Sequence, residues 1–178
     1  ILVDFSGFNL RLAKALKNRL PVIYYTSPQV WASRPGRIKT IKKYVAKMLV
    51  FFKFEREFYQ RHGIEADWVG HPLLDIVRPL QEKNDFLRQA GLSETKTTLT
   101  LLPGSRKSEI SHVLPVMAKS ACLIKEKFPG LKVIIAKVPG IALENYSKIL
   151  EQENLSAKIV EAKTYDCLGA ADFALVCS

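Results

Sequence analysis

The chain has 178 residues, 48% of them hydrophobic and 25% charged, with a formal net charge of +10 at pH 7; this suits a globular protein with one large core or two small ones and excludes disordered and fibrous classes. No run of 18 apolar residues occurs, and the apolar opening contains Asp4 and has no basic lead, so neither a membrane span nor a signal peptide is expected. The positive charge sits mainly at the front, with 14 Lys/Arg against 6 Asp/Glu in residues 1–80 and 13 against 11 in residues 81–178.

Ile1 to Asp4 predicts a strand that ends at a carboxylate, followed by a Phe5-Ser-Gly7 turn and a helix with Leu10, Ala13, Leu16 and Leu20 at helical spacing. Asp4 then lies at the carboxyl end of a strand, the edge where open parallel α/β sheets bind ligands. Asp is equally suited to cap the helix or accept from turn amides, and both readings stand here. Val22 to Tyr25 predicts the next strand, and the aperiodic Thr26 to Ser33, with Ser27, Gln29 and Trp31, a substrate-facing loop. From Pro35 the pattern is helical, with Ile38, Ile41 and Val45 inward and Arg34, Arg37, Lys39, Lys42, Lys43 and Lys47 around them. A basic amphipathic helix suits an anionic lipid surface or a phosphorylated ligand, and equally a solvated face. Nucleic acid is not expected as a partner, because the run lacks interleaved aromatics and no nucleic-acid motif accompanies it.

Met48 to Phe52 predicts a strand, Phe54 to Arg61 a helix stopped at His62-Gly63, and Asp67 to Pro72 a strand entering a Gly-His-Pro turn. His71 at that strand end is a candidate for orienting substrate, or a turn residue that bonds nearby backbone. Leu73 to Asn84 is the expected linker, which divides the chain into domains 1–78 and 79–178. Asp85 to Ala90 predicts a short helix, and Lys96 to Leu102 a lead-in strand. The run Leu99-Thr-Leu-Leu-Pro-Gly-Ser-Arg106 then predicts a buried strand, a tight turn and a helix N-terminus. Such a turn can cradle an anion: Gly104 admits close backbone approach, amides at Ser105 and beyond face the ligand, and Arg106 offers a planar fork for phosphate. It also reads as a capped helix start with a solvated arginine. Further helices are expected over Glu109 to Lys127, Ala142 to Glu153 and Tyr165 to Ala170, and strands over Leu131 to Ala136, Ala157 to Val160 and Asp172 to Val176. Strand and helix alternate throughout, which requires parallel sheets with right-handed crossovers. Cys122, Cys167 and Cys177 are odd in number and show no C-x-x-C spacing, so reduced thiols and no metal site are expected.

Six blocks, Val3 to Leu10, Tyr25 to Ala32, Phe54 to Tyr59, Val69 to Asp75, Leu101 to Arg106 with Glu109-Ile110, and Tyr165 to Asp172, resemble the lipid-A-disaccharide synthases in order along the chain. The resemblance implies two partial Rossmann-like domains of a GT-B glycosyltransferase, acceptor-side first and nucleotide-sugar side second. The implied reaction joins UDP-2,3-diacylglucosamine to 2,3-diacylglucosamine 1-phosphate by inverting displacement and releases UDP, with no metal and no cofactor. By position, Asp4 matches the catalytic base and Arg106, with Gly104 and Ser105, the diphosphate contact; Gln29 and His71 are placed as cleft-lining residues. The basic helix, through Arg37, Lys39, Lys42 and Lys43, is placed against the cytoplasmic face of the bacterial inner membrane, and a homodimer of the full-length protein is among the implied partners. Family segments expected before Ile1 and after Cys177 are missing, so the chain is expected to be an incomplete piece, inactive alone. The alternatives are another GT-B UDP-hexosamine enzyme such as an epimerase, and a non-enzymatic basic α/β module that binds polyanions.

Overall fold

A computed structural model describes residues 1–92 and 97–177 and divides the chain into two compact units, Ile1–Ile76 and Val77–Ser178. Lys96, predicted to lead into a strand, lies outside the described residues.

The first unit runs β1 (Leu2–Val3), α1 (Ser6–Leu16), β2 (Ile23–Tyr25), α2 (Arg37–Tyr44), β3 (Lys47–Val50), α3 (Lys53–Arg61), β4 (Ala66–Trp68) and α4 (Leu73–Ile76). Its sheet has the order β1-β2-β3-β4 with every pair parallel, Leu2 opposite Tyr24, Tyr24 opposite Met48 and Met48 opposite Ala66. Parallel order puts all four carboxyl ends on one edge, so Asp4, Thr26, Phe51 and Val69 share it. Leu10 and Ala13 of α1, Ile41 of α2 and Tyr59 of α3 pack with Tyr24 and Met48 into the core.

Of the boundaries that depart from the sequence pattern, three have a clear physical cause. Helix α1 stops at Leu16 because Lys17 and Asn18 both take left-handed backbone (φ 49° and 60°), which leaves Leu20 outside the helix and exposed. Helix α2 stops at Tyr44, and Val45 turns extended, so Lys47 belongs to β3 and bonds Glu65 and Asp67 at 2.9 and 3.0 Å. Strand β3 stops at Val50, because the buried Glu55 carboxylate accepts the Phe51 and Phe52 amides at 3.2 and 3.1 Å and makes Phe52 the N-cap of α3. The stretch predicted as linker contains α4 and the start of the next helix.

The second unit runs α5 (Lys83–Gln89), β5 (Thr98–Leu102), α6 (Lys107–Lys127), β6 (Lys132–Lys137), α7 (Glu144–Gln152), β7 (Lys158–Glu161), α8 (Thr164–Ala170) and β8 (Phe173–Val176). Its sheet order is β7-β6-β5-β8, again parallel throughout. Central strand β5 is covered on both faces, as a parallel sheet requires. Leu99 and Leu101 pack with Ile110, Leu114 and Ala118 of α6, while Ile134 and Ala136 of β6 pack on the other side with Phe86, Leu87, Cys167 and Ala170. Thr100, buried in β5, satisfies its hydroxyl by donating to the Cys167 carbonyl at 2.8 Å.

The Val77–Glu82 segment is fastened to α8. Buried Asp166 accepts the Leu80 and Gln81 amides at 2.6 and 3.1 Å, and Gly169 is so close to Pro79 that an added Cβ would collide with its ring. The two units are thus parallel α/β sheets with helical crossovers, matching the fold class read from the alternation of elements. Among the described residues Cys122, Cys167 and Cys177 form no disulfide; Cys167 is buried and the other two are partly so.

Candidate active site

In the second unit, β5 ends at Leu102, Pro103 to Arg106 turn the chain, and α6 begins at Lys107, two residues before the predicted start. Gly104 has φ 108°, and a Cβ placed there would stand 2.5 Å from Glu109 Oε2 and 2.8 Å from Glu109 Cβ, so both backbone and space require glycine. The N-cap of α6 is Arg106, which makes no side-chain cap bond. Helices ordinarily place a Ser, Thr, Asp or Asn oxygen over the first-turn amides. A guanidinium has only donors, so here the cap side chain adds positive charge to the positive end of the helix dipole.

Beside this turn is a cavity of about 390 Å³ at the carboxyl ends of the strands. Leu102, Ala136, Val138 and Val176 form its apolar wall, with Gly104, Ser105, Arg106, Glu109 and Thr164 supplying polar groups. A larger open depression of about 770 Å³ lies between Pro79 and Gln89, away from the carboxyl ends of the strands. The smaller cavity is the better candidate, since it lies where parallel α/β sheets bind ligands and has convergent donors.

One carboxylate occupies part of what the sequence reading offered to a ligand. Glu109 Oε2 accepts the Ser105 and Arg106 amides at 2.9 and 3.2 Å, and Oε1 takes the Arg106 guanidinium. The Ser105 amide first, and the Arg106 guanidinium next, hold the Glu109 carboxyl below the usual carboxylate range. The arginine side chain remains 76% exposed. Glu109 had no role assigned from sequence. The spacing that marks a capping box was there, three residues before Glu109, but with an arginine in place of serine or threonine.

In the first unit, Asp4 follows β1 in left-handed backbone (φ 48°), as does Phe5 (φ 31°). The N-cap of α1 is Phe5 and it has no side-chain cap bond. The helix-cap reading of Asp4 is therefore not what the fold uses. The Asp4 backbone is pinned instead: its carbonyl accepts the Tyr24 hydroxyl and, at 2.9 Å, the Asn9 amide, which also donates to the Val3 carbonyl at 2.8 Å. Asn9 and Tyr24 are buried, whereas Asp4 is exposed. Burial pushes the Tyr24 phenol up.

Gln29 is exposed in the loop after β2, with its carbonyl accepting the Ala32 and Ser33 amides at 3.1 and 2.9 Å. The loop is anchored from below by Tyr59, whose hydroxyl lies 2.9 Å from Ser27 Oγ and donates to the Pro28 carbonyl at 3.2 Å. Burial pushes that phenol to about 12. His71 accepts the Leu73 amide on Nδ1 at 3.2 Å and packs against Phe51 and Phe52 with ring centroids 4.9 and 5.7 Å apart. Its ring thus caps the turn into α4, and Nε2 is the nitrogen left for the proton.

The residues expected to face a membrane divide. Arg37 Nη1 donates to Ser6 Oγ at 2.6 Å and ties α2 to α1, while Lys39, Lys42 and Lys43 are exposed. Among the described residues no group of three or more His, Cys, Asp or Glu could hold a metal ion, and no helix is long and apolar enough to cross a membrane.

The family model described as "Lipid-A-disaccharide synthetase" matches residues 1–178. Among curated relatives, the lipid-A-disaccharide synthase of Syntrophus aciditrophicus is 41% identical over 181 residues, covering 100% of this chain and 47% of that protein. Those of Myxococcus xanthus and Geobacter sulfurreducens are 41% and 37% identical, covering 100% and 97% of the chain and 47% and 45% of the relatives. The chain therefore spans about half the length of these relatives. With two parallel α/β units and a strand–turn–helix opening into a cavity in the second, and with its whole length matched, this chain belongs to the lipid-A-disaccharide synthetase family.

Proposed function

We propose that the chain forms part of a glycosyltransferase of lipid A biosynthesis that joins UDP-2,3-diacylglucosamine to 2,3-diacylglucosamine 1-phosphate and releases UDP. The observation that carries this reading is the α6 N-terminus: a cation at the N-cap, a glycine that admits close approach, and a cavity beside them at the strand ends. The leaving diphosphate gains negative charge as the glycosidic bond breaks. Arg106 and the first-turn amides of α6 stabilise that charge electrostatically, which needs no metal.

Asp4 is the base in this reading. It takes the proton from the acceptor hydroxyl as that oxygen attacks the anomeric carbon from the face opposite UDP, through an oxocarbenium-like state. An exposed carboxylate on a pinned backbone suits the role. Gln29 and His71, on the same sheet edge of the first unit, orient the acceptor. Lys39, Lys42 and Lys43 hold the enzyme at an anionic membrane surface, each contributing about 1 kcal/mol when close to it.

The test is a UDP-release assay on the full-length chain with acylated and unacylated UDP-glucosamine donors in parallel. Release that depends on the acylated donor and on the acylated 1-phosphate acceptor is the expected result. Turnover of free UDP-N-acetylglucosamine without an acceptor would replace this reading with an epimerase.

A further inference from the structure

The two units contain the same local device, and the difference between the copies is informative. In each, a strand ends, the chain turns, and the third residue of the following helix is a glutamate whose Oε2 accepts the amides of the N-cap residue and the one before it. At Glu55 the capping is done by one oxygen, the carboxylate is buried and the N-cap is Phe52. At Glu109 one oxygen does the same capping, and the other takes the guanidinium of the N-cap Arg106. Capping does not require that second contact. The Arg106 side chain is largely solvent-exposed, where a long cationic chain would otherwise sample many rotamers.

We propose that Glu109 is a positioning residue for the diphosphate: it fixes the Gly104–Arg106 turn with one oxygen and, with the other, holds the Arg106 guanidinium beside the cavity before ligand arrives. The proposal rests on the reading of Arg106 as a phosphate contact and adds a residue to it. A guanidinium has five N–H donors, so one engaged by Glu109 leaves others for phosphate oxygens. Glu109 also accounts for Gly104, since any Cβ there would strike its carboxylate. Glu109 thus contacts both other members of the turn, the Gly104 backbone that leaves it room and the Arg106 guanidinium it holds. An orienting ion pair raises affinity by removing rotamer entropy that binding would otherwise have to remove.

The experiment is a UDP titration by calorimetry on the full-length chain, carried out on wild type, Glu109→Gln, Arg106→Ala and the double variant, with thermal melts of each. Gln keeps an amide-accepting oxygen and loses the charge that holds the guanidinium. Glu109→Gln is expected to melt close to wild type and to bind UDP about five- to tenfold more weakly. The same substitution in the Arg106→Ala background is expected to change affinity by less than about twofold. Wild-type affinity in Glu109→Gln, or an equal loss in both backgrounds, overturns the proposal and leaves Glu109 a cap like Glu55. Unchanged affinity in Arg106→Ala instead overturns the phosphate reading, and this proposal with it.

Discussion

Asp4, proposed as the base, shows how a carboxylate can be presented without being buried. Its carbonyl is held by Asn9 and Tyr24, both buried, while its carboxylate stands in solvent at the end of β1. Replacing Asp4 by Asn keeps the size and the pinned backbone and removes the proposed base. Turnover of the full-length chain should then fall by about 10²- to 10⁴-fold, with UDP affinity unchanged; full turnover would remove Asp4 from the mechanism. Gly104 belongs to the same scale. Gly104→Ala must place a side chain at φ 108° and push the Glu109 carboxylate aside. It should cost about 1–3 kcal/mol in chemical denaturation and weaken UDP binding as well, and a variant that melts and binds like wild type would mean the turn relaxes freely.

Elements are joined here by carboxylates that the sequence displays without revealing their task. In the block Tyr165 to Asp172, Asp166 clips the Leu80 and Gln81 amides, the Cys167 carbonyl receives Thr100, Gly169 admits Pro79, and Asp172 accepts the Thr98 amide at 2.8 Å and Lys83 at 2.7 Å. These contacts are architectural, so the block marks the packing of α8 on the sheet. Asp166→Ala leaves two amides without their acceptor and should cost about 1–3 kcal/mol by denaturant titration; a loss near zero would mean that water replaces the carboxylate. Asp172 offers a pH test. Lys83 first, and the Thr98 amide next, hold its carboxyl below the ordinary value of 3.8. The group stays charged in the folded chain at pH values where the unfolded chain takes up a proton, so its stabilisation is present above that value and disappears as pH falls through the folded pKa. The stability gap between wild type and Asp172→Asn should therefore narrow below pH 3.8, modestly because the pair is partly exposed. A gap constant down to acid unfolding would contradict the assignment. On α2, neutralising Lys39, Lys42 and Lys43 should release the protein from anionic vesicles in a sedimentation assay and leave stability intact; unaltered sedimentation would make the helix a solvated face.

Taken as a whole molecule, the chain declares its architecture through alternation. Buried β5 and long α6 are evident from Leu99, Leu101 and the periodic Ile110, Leu114 and Met117, because burial on both faces of a parallel strand and on one face of a helix writes hydrophobic patterns. What periodicity does not contain is where elements stop. Leu20 continues the helical spacing of α1, yet left-handed Lys17 and Asn18 end the helix without a glycine to announce it. Lys47 continues the basic pattern of α2, yet Glu65 and Asp67 claim it for β3. The strand–turn–helix geometry was legible from Pro103 to Arg106, whereas the Glu109 clasp was not, since a cationic N-cap hides the usual capping signature. The role of the turn rests on one comparison that can be made directly. Calorimetric titration of the full-length chain with UDP should show Arg106→Ala binding at least about tenfold more weakly than wild type, the loss of a charge-assisted contact to phosphate; equal affinity in the two proteins would contradict the account.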